Sequence, residues 1–222
     1  MKTKTGMRKA YKGVAMEGMI ARWYARNTGQ GREFDQLAKR VSEIVPTGSR
    51  VLEVAPGPGF LSVEIAQTGK YQVSGVDISK TFVEIERANA KDAGVEIDFR
   101  QGDAANLPFE DARFDFVICT AAFKNFTRPV QALSEMYRVL RAHGKALVID
   151  LRHDASRAEI NREVEKMGLN WINTLLTKLT FSQFLLKNAY SEQQIREFLS
   201  EAGIPKSRIQ SSGIGFEIWL ER

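Results

Sequence analysis

The stretch that most constrains this chain is Val51-Leu-Glu-Val-Ala-Pro-Gly-Pro-Gly59, followed at once by Phe60-Leu-Ser-Val-Glu-Ile-Ala66. Val51, Leu52 and Val54 make a short apolar strand. Gly57 and Gly59 stand where the chain must reverse and where a ligand can approach bare backbone. Leu61, Ile65 and Thr68 then recur at helical spacing. A helix that begins there points its free N–H groups and positive dipole end into the turn. Val73-Ser-Gly-Val-Asp77 follows as a second strand ending in a carboxylate. That carboxylate comes about twenty residues past the turn, the spacing at which an acidic side chain grips a ribose. Together the two signals predict a site for a nucleoside-containing cofactor.

Further along, strands and helices alternate. Ser79 caps a helix over 80–93 that Gly94 closes, Val95-Glu-Ile-Asp-Phe99 reads as a third strand, and Phe114 to Cys119 as a fourth. Pro129 opens a helix, and His143-Gly144 turns the chain into a fifth strand over 146–149. A helix over 191–202 precedes strands at 208–211 and 214–220, with Gly213 in the hairpin between them. Near-continuous apolar strands alternating with helices predict a Rossmann-like, doubly wound, seven-stranded and mostly parallel sheet. It ends in a C-terminal antiparallel hairpin and carries N-terminal helices and a helical insertion after strand five.

With 222 residues the chain suits one α/β domain. The expected parts are N-terminal helices at 1–46, a cofactor-binding core at 50–151, an insertion at 155–189 and a closing helix and strands at 191–222. Net charge is +5 and the pI near 9.3. The basic residues are spread along the chain rather than clustered, so nucleic acid is not the expected partner. A single cysteine, Cys119, lies in an apolar run, which offers no disulfide and no cysteine-based metal site. No apolar stretch reaches the length of a membrane span, the first residues lack a signal-peptide core, and the expected compartment is cytoplasmic, with no membrane partner.

The turn by itself is a weak signal, because Ala55 stands at the first and Ser62 at the third glycine position of a dinucleotide fingerprint. Taken with Glu53, Asp77, Gly102-Asp103-Ala104, Phe114-Asp-Phe-Val-Ile and Leu140-Arg-Ala-His-Gly144, the chain from Arg50 to Leu151 resembles the class I S-adenosylmethionine-dependent methyltransferases. The resemblance is weak on either side. It implies that Glu53 and the backbone of Ala55, Pro56, Gly57 and Gly59 lie against the methionine part and ribose of S-adenosylmethionine. It implies that Asp77 accepts both ribose hydroxyls and Ile78 packs on the adenine. Asp103, beside Gly102, would accept the adenine amine, with a ring nitrogen served by the Ala104 backbone. Thr120 and Ala121 would line the amino-acid end and the reactive methyl, and Tyr24 joins the set from the leading aromatic segment. The Pro56 and Pro58 of this turn donate no backbone hydrogen bonds, so fewer N–H groups face the cofactor than in a glycine-rich version.

Methyl transfer from a sulfonium is an in-line displacement that asks the protein mainly to position the acceptor and exclude water. Lys124, after strand four, and His153, after strand five, are the candidate catalytic residues. His143 belongs to the opposite end of the sheet. Aromatic and methionine-rich segments at 11–24 and 171–185 point to an apolar acceptor pocket, the first of them equally readable as a lid or a packing helix. The expected activity is therefore methylation of an apolar or aromatic small molecule at O, N or C, yielding S-adenosylhomocysteine. The alternatives are an RNA or protein methyltransferase, favoured by the basic charge, and a non-catalytic cofactor-binding module whose 171–185 helices form a dimer interface. A homodimer stays open.

Overall fold

The computed structural model of the protein describes residues 11–12, 16–28, 32–166 and 188–222. At its centre are seven strands: β1 (Arg50–Val54), β2 (Gln72–Asp77), β3 (Asp98–Gln101), β4 (Phe114–Thr120), β5 (Leu140–Leu151), β6 (Ser207–Ser212) and β7 (Gly215–Glu221). Their order in the sheet is β3-β2-β1-β4-β5-β7-β6. The first five run parallel, and β7 lies antiparallel between β5 and β6. The described helices are α1 (Gly18–Thr28), α2 (Arg32–Ile44), α3 (Phe60–Gln67), α4 (Lys80–Asp92), α5 (Pro129–Arg138), α6 (Arg157–Lys166) and α7 (Glu192–Glu201).

Two-residue alternation divides the core between the faces of the sheet. Leu52, Val54, Val117 and Cys119 pack with Leu133 and Met136 of α5 and Ile195 and Leu199 of α7. Val51, Phe116 and Ile118 pack on the other face with Ala38 and Val41 of α2 and Leu61 and Ile65 of α3. Because both faces are covered, the central strands read as unbroken apolar runs. The winding reverses between β1 and β4, and a ligand crevice forms outside the carboxyl ends of strands at such a reversal.

Three element boundaries differ from the sequence reading, each for a local reason. Strand three begins at Asp98 rather than Val95, because the Val95 N–H turns back to the Ala90 carbonyl (3.0 Å) in the closing turn of α4. The fifth strand runs from Leu140, not Ala146. His143 (φ 66°) and Gly144 make an irregularity inside it, where pairing with β4 shifts between Phe114 and Phe116. Among the described residues of the leading segment the helix starts at Gly18 (φ 58°), and Tyr11 bridges Phe126. The apolar stretch at 171–185 lies outside the described residues.

Candidate cofactor and acceptor site

The turn after β1 is built by backbone conformation. Ala55 (φ 58°) leaves the strand and donates its N–H to the Val76 carbonyl at 2.8 Å, which ties the turn to β2. Gly57 (φ 60°) follows, with no atom within 4 Å of where a Cβ would stand. That open side is where a ligand meets backbone. Gly59 (φ 80°) then caps α3, whose N-terminus faces the turn.

Asp77 ends β2 against this turn. One of its oxygens accepts the Gly57 N–H at 3.2 Å and the other the Ser79 N–H at 2.8 Å. Each oxygen keeps a lone pair for a further donor, as two ribose hydroxyls require. Burial pushes the Asp77 carboxyl up to about 7, against the opposing pull of those N–H bonds. Glu53, buried in β1, accepts the Ser62 hydroxyl at 2.5 Å and is likewise pushed up by burial to about 7. A buried carboxylate short of donors beside an open glycine backbone is the chemistry a nucleoside's hydroxyls satisfy, so these residues fit S-adenosylmethionine.

Ile78 is half-buried next to Asp77, and its carbonyl accepts from Gln101 Nε2 at 3.2 Å. Gly102 donates to the Asp77 carbonyl at 2.9 Å; a Cβ there would come within 2.9 Å of Val76, so glycine lets β3 close on β2. Asp103 accepts the Ala105 N–H at 2.9 Å and pairs with Arg128 at 2.6 Å, a partner the sequence reading missed. Ala104 lies between them, half-buried. Thr120 and Ala121 close β4, Ala121 at φ 55°. Tyr24 sets its ring edge-on to Phe82 of α4 at 6.0 Å.

Lys124 is not an exposed cation at the rim. It is buried, with Nζ 2.9 Å from an Asp150 oxygen and 2.6 Å from the Ala121 carbonyl, while its own N–H donates to the other Asp150 oxygen at 2.8 Å. Asp150 sits in β5, so the pair ties the carboxyl ends of β4 and β5 together. His153 is exposed, and its backbone N–H donates to the Tyr190 carbonyl at 3.0 Å. His143 lies at the far end of the sheet, bonded to the Arg222 carbonyl at 2.6 Å.

Several site residues left no mark in the sequence pattern. Ser79 Oγ donates to the Met16 carbonyl at 2.5 Å, and the Glu17 carboxylate accepts the Lys80 N–H at 2.9 Å and the Thr81 hydroxyl at 2.6 Å. Glu17 thereby caps α4 from 63 residues away. Burial pushes its carboxyl up, but those hydrogen bonds outweigh it and hold the group below its ordinary value. On the β4 side, Lys12 donates its N–H to the Asn125 carbonyl at 2.8 Å and its ammonium to Tyr190 Oη at 2.5 Å. The leading segment is thus anchored beyond β4 at one point and beyond β2 at another, with the β1 turn between them in the sheet. Burial, followed by the Asp77, Tyr24 and Asp150 groups, pushes the Tyr11 phenol up. Glu86 of α4 is fully buried with neither oxygen hydrogen-bonded, packed against Gly59. Burial first, then the Asp77 and Glu53 charges, push it to about 10, so it stays protonated at neutral pH.

Fold and site together describe a class: a doubly wound α/β protein whose β1–β4 reversal fits a nucleoside cofactor. Residues 52–148 match the family model described as Methyltransferase domain. Over those residues the chain resembles the class I S-adenosylmethionine-dependent methyltransferases, whose cofactor is S-adenosylmethionine. It is 35% identical over 108 residues to the demethylmenaquinone methyltransferase of Deinococcus radiodurans, a match covering 48% of this chain and 45% of that protein. It is 27% identical over 182 residues to the ubiquinone biosynthesis O-methyltransferase of Xanthomonas axonopodis pv. citri, covering 82% and 72%. Among solved structures, a putative S-adenosylmethionine-dependent methyltransferase from Methanococcus maripaludis superposes with a TM-score of 0.67 at 21% identity, over 91% of this chain and 92% of that one. Like the match to the Deinococcus protein, those to the other high-identity relatives span only about half of each relative's length.

Proposed function

We propose that this protein methylates the ring of a quinol-type aromatic small molecule. The observation that carries the cofactor half is the Gly57–Asp77 pair, an open backbone facing a buried carboxylate with acceptor capacity to spare. The acceptor half draws on the relatives, two of which carry quinone-pathway names. Bound at the turn, S-adenosylmethionine supplies an electrophilic methyl carbon for in-line displacement and leaves as S-adenosylhomocysteine. Asp77 and the Gly57 N–H hold the ribose, with Asp103 and Ala104 at the adenine end. Lys124 acts through charge: two of its three N–H groups are taken by Asp150 and Ala121, and the third serves a phenolate oxygen of the acceptor. A phenolate activates its ring carbon for attack; once that carbon holds the methyl its hydrogen leaves as a proton, which the exposed His153 receives, and the ring is aromatic again.

Calorimetric titration with S-adenosylmethionine, followed by methyl transfer to short-chain naphthoquinols and benzoquinols, tests both halves. Micromolar binding lost in Asp77→Ala, with a methylated quinol as product, is the expected result. Absence of binding overturns the cofactor site. Binding without quinol methylation, alongside methylation of another acceptor, overturns the acceptor class alone.

A further inference from the structure

Helix α1 presents a face that the proposed reaction does not use. Met19, Arg22, Trp23 and Arg26 follow the i, i+3, i+4, i+7 spacing that brings side chains to one side of a helix. All four are exposed: Met19 keeps 87% of its surface open and Trp23 65%, with Ile20 at 46% on the adjoining flank. On the opposite side, Ala21 is buried. Large apolar side chains stacked one turn apart in water are unusual, whereas single ones are not.

Charge sets the kind of partner. The eleven residues of α1 include two arginines and no acidic residue. Arg22 and Arg26 line a groove of about 220 Å³ between α1 and α4, together with Ala25, Ile85 and Asn89. Among the described residues, the acidic contact of this face is Glu84, 3.5 Å from Arg22 and half-exposed itself. A second copy of the chain docked here about a two-fold axis would set the arginines of both copies against each other. An anionic lipid surface instead meets the guanidinium groups with phosphates while taking Met19 and Trp23 among the acyl chains.

We infer that α1 docks the protein on an anionic lipid bilayer, its arginine-lined groove receiving a phospholipid headgroup and Met19 and Trp23 entering the interface. No described helix is long and apolar enough to cross a membrane, which leaves surface binding untouched: a helix lying in the interface needs one apolar face, not a span. The inference stands whatever the methyl acceptor is, because it concerns lipid and not turnover. Just before α1, Met16 and Glu17 grip Ser79, Lys80 and Thr81 beside Asp77, so the docked helix is fastened to the cofactor turn.

Co-sedimentation of the full chain with vesicles tests the inference. One set is phosphatidylcholine alone; the other contains about one third phosphatidylglycerol. Wild type is expected to pellet with the anionic set only, and less so as salt is raised. Met19→Ser with Trp23→Ser, and separately Arg22→Gln with Arg26→Gln, should each weaken binding about tenfold or more. Lys145→Gln with Lys206→Gln removes the same charge from exposed positions elsewhere and should weaken it about threefold or less. The inference is overturned if wild type stays in solution with anionic vesicles at low salt. It is equally overturned if the Lys145/Lys206 variant loses as much as the arginine variant, which means diffuse charge. Concentration-dependent dimerisation that Trp23→Ser abolishes would give the face to a second copy and overturn it too. All six positions are exposed, and matching circular dichroism spectra check that the variants fold.

Discussion

The cofactor end of this molecule and its acceptor end are held together in opposite ways. Around β1 and β2 the site is made by backbone: Ala55, Gly57 and Gly59 take positive φ, and Asp77 receives two main-chain N–H groups. Beyond β4 and β5 it is made by side chains from distant parts of the chain: Lys124 with Asp150, and Lys12 with Tyr190 across 178 residues. A cofactor of fixed shape can be met by a fixed turn. An acceptor pocket is assembled from whatever elements reach over it, so its parts are scattered through the sequence.

The comparison can be broken by mutation. Asp150→Ala leaves the Lys124 ammonium buried without its partner and should cost about 3–5 kcal/mol in chemical denaturation. Lys124→Met combined with Asp150→Asn, which keeps an oxygen for the Lys124 N–H, should recover most of that loss, and failure to recover would mean the pair does more than neutralise itself. Asp77→Ala should weaken S-adenosylmethionine binding about a hundredfold, the worth of two charge-assisted hydrogen bonds, while leaving thermal stability nearly unchanged. A large fall in melting temperature would show that the turn depends on this side chain and not on its backbone alone.

Glu86 sharpens the contrast through pH. In the fold it keeps its proton to about pH 10, whereas the unfolded chain loses it near 4.5. The folded form therefore binds more protons between those values, and stability should fall as pH rises through that window. Asp77 and Glu53, both pushed to about 7, add to the slope below neutrality, and Glu86 carries it above. Thermal melts from pH 7 to 9 should show the decline in wild type and a flatter line in Glu86→Gln. Smallest of all, Glu17→Ala leaves the Ser79 cap of α4 but removes the carboxylate that takes the Lys80 N–H and the Thr81 hydroxyl, and should cost about 1 kcal/mol, read by denaturation.

What was legible in the sequence follows the same division. The order of strands, the turn at Gly57 and Gly59 and the carboxylate at Asp77 all leave local marks: periodicity, obligatory glycines, a fixed spacing. Lys124 was found as a candidate, but its burial against Asp150 was not, because no pattern links a turn after β4 with a position in β5 26 residues on. Glu86 is the sharper case. At helical spacing it reads as one more charged residue of an amphipathic helix, and only packing against Gly59 turns it inward.

The placement of β7 between β5 and β6 has a consequence for how the chain is made. A ribosome delivers β5 long before residues 215–221, and until those arrive one edge of β5 has nothing to pair with. Ala146, Leu147 and Val148, all fully buried in the finished fold, wait at that edge. Synthesis therefore passes through a stage in which an apolar strand with unpaired amides is open to any other strand it meets, and the later β6–β7 hairpin is what seals it.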